Sequence, residues 1–154
     1  MPNVISRRRG TAIVETEKGI LLTSGGGTVF ILPGGGAERD ESRFVAALRE
    51  LTEETRLRPY AAEIIFKHLG KVRRTFSGHG YFQDHHTVCL VRATGTPRPG
   101  GGDAKHIAYF YPGCNVRIST TTKEIIDRYY DWKMKRQASK ESKIKDEDDD
   151  NGGE

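Results

Sequence analysis

The order of elements along this chain is strands, a helix, more strands and a second helix. That order predicts an α+β or α/β fold with helices on both faces of a mixed sheet. Three observations carry the prediction. The 154 residues are the length of one domain with a core of its own. Short apolar runs bounded by glycine and proline fill residues 3–32 and 62–111, as strands do. Apolar residues at helical spacing occupy 42–57 and 120–137.

Residues 3–16 read as the first strand, with Val4 and Ile5 and then Ala12, Ile13 and Val14. Arg7, Arg8 and Arg9 interrupt it, and side chains in a strand alternate, so the three cannot all face a core. They form either a solvated edge or bulge or a phosphate clamp at the mouth of a cleft. Lys18-Gly19 is a turn, and Ile20–Thr23 is a short strand. Ser24–Gly27 is a glycine loop and Thr28–Leu32 the next strand. Pro33 stops the ladder, and Gly34, Gly35 and Gly36 let the backbone turn closely around a ligand.

The helix that follows is the most informative element. Ser42 is its expected N-cap, because its hydroxyl can accept from a free N–H of the first turn. Phe44, Leu48, Leu51 and Thr55 share one face at about 100° per residue. Glu50, Glu53 and Glu54 share another, at i, i+3 and i+4. Like charges at i,i+4 cost a helix a few tenths of a kcal/mol, so the acids call for water or a cation. Mg²⁺ suits them, since it takes oxygen ligands and is often held by one or two carboxylates plus substrate phosphates. Arg49 is placed to orient and partly neutralise them. Without the glycines and Glu41 in register, the same acids would read as a solvated surface helix.

The spacing runs Gly35, five residues, Glu41, seven residues, Arg49-Glu50-Leu51, one residue, Glu53-Glu54, one residue, Arg56, Leu57. It resembles the Nudix hydrolase signature position for position, except that Arg56 stands where the pattern has glycine. That glycine would close the helix in a left-handed conformation. With arginine there, either the same backbone is kept at some cost or the helix runs on towards Pro59. The resemblance covers about a seventh of the chain. It implies an α/β/α sandwich with a mixed sheet and a metal shell of Glu50, Glu53, Glu54 and a carbonyl assigned to Gly35. Glu53 is then the base or water-positioner, Glu50 and Glu54 the firmer ligands, and Arg49 the residue that orients them. Glu41 fixes the loop against the helix. The cofactor implied is Mg²⁺, with Mn²⁺ as the alternative.

After the helix, Ala62–Leu69 reads as a strand broken by Gly70, and Lys71–Phe76 as its continuation in the sheet. Ser77–Gly80 is a turn, with Arg73 and Arg74 in its basic flank within reach of a phosphate. Asp84, His85 and His86 open a buried strand through Arg92. Adjacent histidines in a strand point to opposite faces, so the pair does not suit one metal. Thr94–Lys105 has no apolar anchor and reads as disordered or as a lid. Related enzymes often supply an extra acid from the corresponding loop, and Asp103 is its only acid. Ile107–Tyr111 is an aromatic strand in which Tyr109 or Phe110 could stack on a nucleobase, although core packing is expected for at least one aromatic. Ser119 caps the second helix, whose stripe of Ile125, Ile126, Tyr129, Tyr130 and Trp132 is expected to cover the sheet's other face.

Residues 1–137 therefore form the domain, and 138–154 an acidic tail read as disordered. The tail holds three lysines against seven acids, a net of −4, which leaves +8 for the remainder of a chain whose total is +4. A basic body suits a polyanionic substrate, or weak attraction to nucleic acid. No apolar run approaches a membrane span, and MPNVISRRRG has no apolar leader core, so a soluble cytoplasmic protein is expected. Cys89 and Cys114 are too few for a disulfide framework or a zinc site.

The substrate implied by the resemblance is a nucleoside diphosphate derivative cleaved at a phosphoanhydride. Small size favours a nucleoside triphosphate or a dinucleoside polyphosphate. Arg7–Arg9 and Lys71–Arg74 keep an inositol pyrophosphate or a capped RNA end open. The non-enzyme alternative is a Nudix-like nucleotide- or nucleic-acid-binding domain. A complete set of mutually repelling acids near a polyanion argues against a pure binder.

Overall fold

The computed structural model describes the backbone of residues 3–151 and the side chains of residues 3–144. The described chain divides into two units, one ending at Ser119 and one beginning at Thr120. In chain order the strands are β1 (Val4–Ile13), β2 (Glu15–Thr16), β3 (Gly19–Ser24), β4 (Gly34–Gly36), β5 (Arg58–Leu69), β6 (Arg73–Arg74), β7 (Tyr81–Thr94) and β8 (His106–Phe110). The helices are α1 (Arg43–Thr55) and α2 (Thr120–Asn151).

A mixed sheet runs in the order β4-β1-β7-β5, with β6 added to β7. β1 is parallel to β7 along its whole length, and β4 and β5 pair antiparallel with β1 and β7. A smaller antiparallel sheet runs β2-β3-β8. α1 packs on β1, β4 and β7. Its inward residues Ala47 and Leu51 join Ala12, Val14, Leu21, Leu57, Cys89 and Val91 in the core, with Phe44 and Leu48 packed against the rim. Each fully buried leucine contributes about 1.5–3 kcal/mol. This is the mixed-sheet α/β sandwich the sequence predicts.

Ser42 caps α1 as expected: its Oγ accepts from the Val45 N–H at 3.1 Å. The helix does not run on to Pro59. It ends at Thr55, and Arg56 takes the left-handed conformation at φ 67°, where it returns its N–H to the Thr52 carbonyl at 2.9 Å. The backbone of the glycine position is thus kept with an arginine on it. The steric cost is roughly 1 kcal/mol relative to glycine.

Four expectations about the elements change. β1 is not bulged: it pairs with β7 along its whole length, and β4 flanks it only from Arg9 to Thr11, so Arg7 and Arg8 lie on a solvent-exposed stretch of a regular strand. Thr28–Leu32 makes only isolated bridges, Thr23 to Ile31 and Phe30 to Ile118, since Pro33 and the preceding glycines leave no length for a ladder. Of Lys71–Phe76 only Arg73–Arg74 pairs with β7. The acidic segment from Ser139 continues α2 as far as Asn151, where composition reads as disorder. Lysine and glutamate are good helix formers that need no buried face. Residues 152–154 of that tail lie outside the described residues.

Within α2, Lys123 pairs with Asp127 at 3.1 Å and Lys135 with Asp131 at 3.0 Å, both at i,i+4. Tyr129 stacks on Trp132 with ring centroids 6.1 Å apart. Among the described residues no helix is long and apolar enough to cross a membrane.

Candidate active site

The glycine strand β4 and the outward face of α1 meet at one end of the sheet. A Cβ on Gly35 would stand 2.6 Å from Oε1 of Glu50, so only glycine lets the carboxylate lie this close to the strand. The Gly34 N–H donates to Oε2 of Glu54 at 3.3 Å.

Arg49 ties the acids together. Its Nε and Nη2 donate to the two oxygens of Glu41 at 2.7 and 2.9 Å, a bidentate pair. Nη1 reaches Glu50 Oε1 at 3.1 Å and Glu53 Oε2 at 3.3 Å, and Nη2 donates to the Gly36 carbonyl at 3.2 Å. The Glu38 N–H also donates to Glu41 at 3.0 Å. Arg49, and then that N–H, hold the Glu41 carboxyl down at about 2. The acids in turn raise the pKa of Arg49. Glu41 therefore fixes the loop to the helix, as the sequence predicts.

The three helix acids are not alike. Glu53 is the open one, its side chain 57% exposed. Glu54 is half-buried, and its partial desolvation, opposed by the Gly34 N–H and reinforced by Glu50 beside it, pushes its carboxyl up to about 8. A buried acid next to a second acid is costly unless a proton or a cation sits between them. Among the described residues no three histidine, cysteine or acidic side chains already converge as a cage. The donor set still fits a hard cation, with two adjacent carboxylates, glycine backbone against them and an open third acid.

The arginines of β1 separate by face. Arg8 crosses towards the helix side and donates to the Glu41 carbonyl at 2.7 Å. Arg7 is held by Asp84, with Nε to Oδ1 at 2.6 Å and Nη2 to Oδ2 at 3.0 Å, and lies 4.0 Å from the Phe82 ring centroid. Arg9 stands 3.9 Å from Asp84 and its charge also acts on Glu54, while the charge of Arg8 acts on Glu41. Asp84 keeps a lowered pKa against the cost of burial because Arg7 and Arg9 face it.

Other candidates are not brought to the acids. Arg73 and Arg74 are exposed opposite Phe82 and Tyr81, well along the sheet from Arg9, which pairs with His86. Tyr109 packs against the core cluster and Phe110 pairs with Ile20 in the second sheet. Asp103 is exposed, its carbonyl against Gly25. The loop that carries it is neither loose nor unanchored. The Arg98 N–H donates to Thr55 O at 3.0 Å, the Gly100 N–H to Glu54 O at 2.9 Å and the Lys105 N–H to Ser24 O at 3.0 Å, while Ala104 is buried.

Sequence reasoning missed Arg9, Thr11, Asp84 and His86 as a set. Thr11 Oγ1 lies 2.8 Å from His86 Nδ1, and His86 Nε2 is buried with no hydrogen-bond partner among the described residues. Burial first, then Arg9, pushes the His86 imidazole down to about 4. Only the β1–β7 register brings these residues together, and no local spacing announces it.

The NUDIX domain model matches residues 6–116. The chain belongs to the Nudix hydrolase family. Among solved structures it is similar to a Nudix hydrolase family member from Chromobacterium violaceum, at 32% identity and a TM-score of 0.67 over 84% of this chain and 79% of that one. It shares the fold of a bifunctional NMN adenylyltransferase/ADP-ribose pyrophosphatase from Francisella tularensis, solved with AMP and a manganese ion. The identity there is 23% and the TM-score 0.61, over 85% of this chain and 43% of that one. It also shares the fold of the Nudix domain of Shewanella oneidensis NrtR bound to ADP-ribose, at 14% identity and a TM-score of 0.61, over 85% and 89%. Comparison with curated proteins gives no match.

Proposed function

We propose that this chain hydrolyses a phosphoanhydride bond in a nucleoside diphosphate derivative, with Mg²⁺, or Mn²⁺ in its place, held at the β4–α1 junction. The observation that carries the reading is the half-buried Glu54 carboxyl beside Glu50, roofed by the Gly34 N–H and the bare Gly35 backbone. Glu50 and Glu54, with the Gly35 carbonyl, hold the cation. A bound divalent ion neutralises phosphate charge and lowers the pKa of bound water. Glu53, the open acid, positions the attacking water and takes its proton. The water oxygen bonds to phosphorus as the bridging P–O bond breaks, and the leaving phosphate departs with that electron pair. Arg49 keeps Glu50 and Glu53 aimed. Arg9, whose charge acts on Glu54, meets the substrate's phosphates.

The substrate class we favour is a nucleoside triphosphate or a dinucleoside polyphosphate. ADP-ribose joins the candidates because two structures of the same fold carry it in their names. The test is phosphate or nucleotide release in Mg²⁺ from dGTP, diadenosine tetraphosphate, ADP-ribose and an inositol pyrophosphate. Turnover of one of the first three that chelator abolishes is the expected result. Binding of nucleotide without turnover of any of them would overturn the enzymatic reading.

A further inference from the structure

The last turn of α1 carries Glu53 and Glu54, and an α-helix leaves its final carbonyls without partners inside the helix. In this protein the 94–105 loop supplies partners to the last two. The Arg98 N–H takes the Thr55 carbonyl at 3.0 Å and the Gly100 N–H takes the Glu54 carbonyl at 2.9 Å. Gly100 comes so close that a Cβ there would run into the Glu53 carbonyl oxygen. The guanidinium of Arg56 completes the circuit, with Nη2 donating to the Gly100 carbonyl at 2.8 Å. Glycine at position 56 would make the same left-handed turn with less strain, yet could not reach the loop. Arginine here accepts a disfavoured backbone and adds one contact the motif residue lacks.

We propose that Arg56 is a positioning residue, a latch that holds the Arg98–Gly100 segment on the C-terminal turn of α1 and so fixes Glu53 and Glu54 for the cation. Glu53 needs this most, because apart from Arg49 at 3.3 Å its side chain is open to solvent. The catalytic consequence rests on the proposed function; the latch itself does not.

Three variants test it: Arg56→Gly, Arg56→Lys and Gly100→Ala. The readouts are amide hydrogen exchange at positions 98 and 100, Mn²⁺ affinity by electron paramagnetic resonance, thermal midpoint, and kcat and KM on whichever probe nucleotide the native chain turns over. Arg56→Gly is expected to speed exchange at both amides by about tenfold or more and to weaken Mn²⁺ several-fold. It should lower kcat by about tenfold with KM little changed, while the thermal midpoint stays or rises. Gly100→Ala should show the same exchange and Mn²⁺ pattern, and Arg56→Lys should recover part of both. A residue that only caps the helix would leave Mn²⁺ affinity and kcat unmoved when replaced by glycine, and that result would overturn the latch. So would native exchange rates in Arg56→Gly. If the native chain binds Mn²⁺ but cleaves no probe, the hydrolase reading fails, and exchange with Mn²⁺ affinity still decides the latch.

Discussion

Two charged clusters sit on the same mixed sheet and are built in opposite ways. On β1 and β7 one acid, Asp84, faces two arginines, Arg7 and Arg9, and the pair at 2.6 Å is nearly self-contained. At the β4–α1 junction one arginine, Arg49, holds Glu41, Glu50 and Glu53, with Glu54 half-buried beside them. The first cluster has little need of a partner for its charge. The second has more negative charge than its arginine can match, and the surplus is concentrated where glycine strips the backbone bare. Charge that balances holds a sheet together, and charge left over in a half-buried place points to a ligand.

Removing one surplus acid is the sharpest way to break the comparison. Glu50→Gln and Glu54→Gln are each expected to cut turnover by about two orders of magnitude or more. Neither should destabilise the chelator-treated protein, because a neutral amide replaces a half-buried, crowded carboxyl. Steady-state rates and thermal melts with and without Mg²⁺ read both effects. The arginine-rich cluster answers to pH instead. His86, 8% exposed, is held down at about 4 against an ordinary value of 6.5. The unfolded chain therefore binds the proton first, and stability is full above about pH 6.5 and lost as pH falls through 4. The effect is roughly 2–3 kcal/mol. Urea unfolding at pH 4.5 and 7 should show that slope, and His86→Asn should flatten it.

Arg49→Lys keeps the charge and loses the fork. Its expected cost is about 1–3 kcal/mol of stability, with a fall in kcat larger than any change in KM. Asp84→Asn is the mildest change, about 1–2 kcal/mol by urea titration, since it leaves Arg7 with one weaker acceptor. If Asp84→Asn proved as damaging to turnover as Glu54→Gln, the contrast between the clusters would not stand.

What could be read beforehand follows from range. The Ser42 cap, the two faces of α1 and the Glu41–Arg49 knot lie within a few turns of chain, where spacing and chemistry determine them. Local chain leaves two outcomes open at Arg56, and the left-handed one goes with a side chain that reaches the loop. The Arg7–Asp84 and Thr11–His86 pairs span more than 70 residues and depend on the parallel register of β1 and β7, which no local pattern encodes. The loop around Gly100 looked free because its anchors are backbone amides and one alanine, neither of which marks a sequence. The polar end of α2 misled in the opposite direction, because composition that cannot build a core can still build a helix.

The central claim is that the surplus acids hold a cation. Mn²⁺ titration followed by electron paramagnetic resonance on the native chain, Glu50→Gln and Glu54→Gln tests it most directly. The native chain should take up Mn²⁺ at a saturable site, and each variant should lose at least about tenfold in affinity. Equal Mn²⁺ uptake by all three proteins would contradict the account.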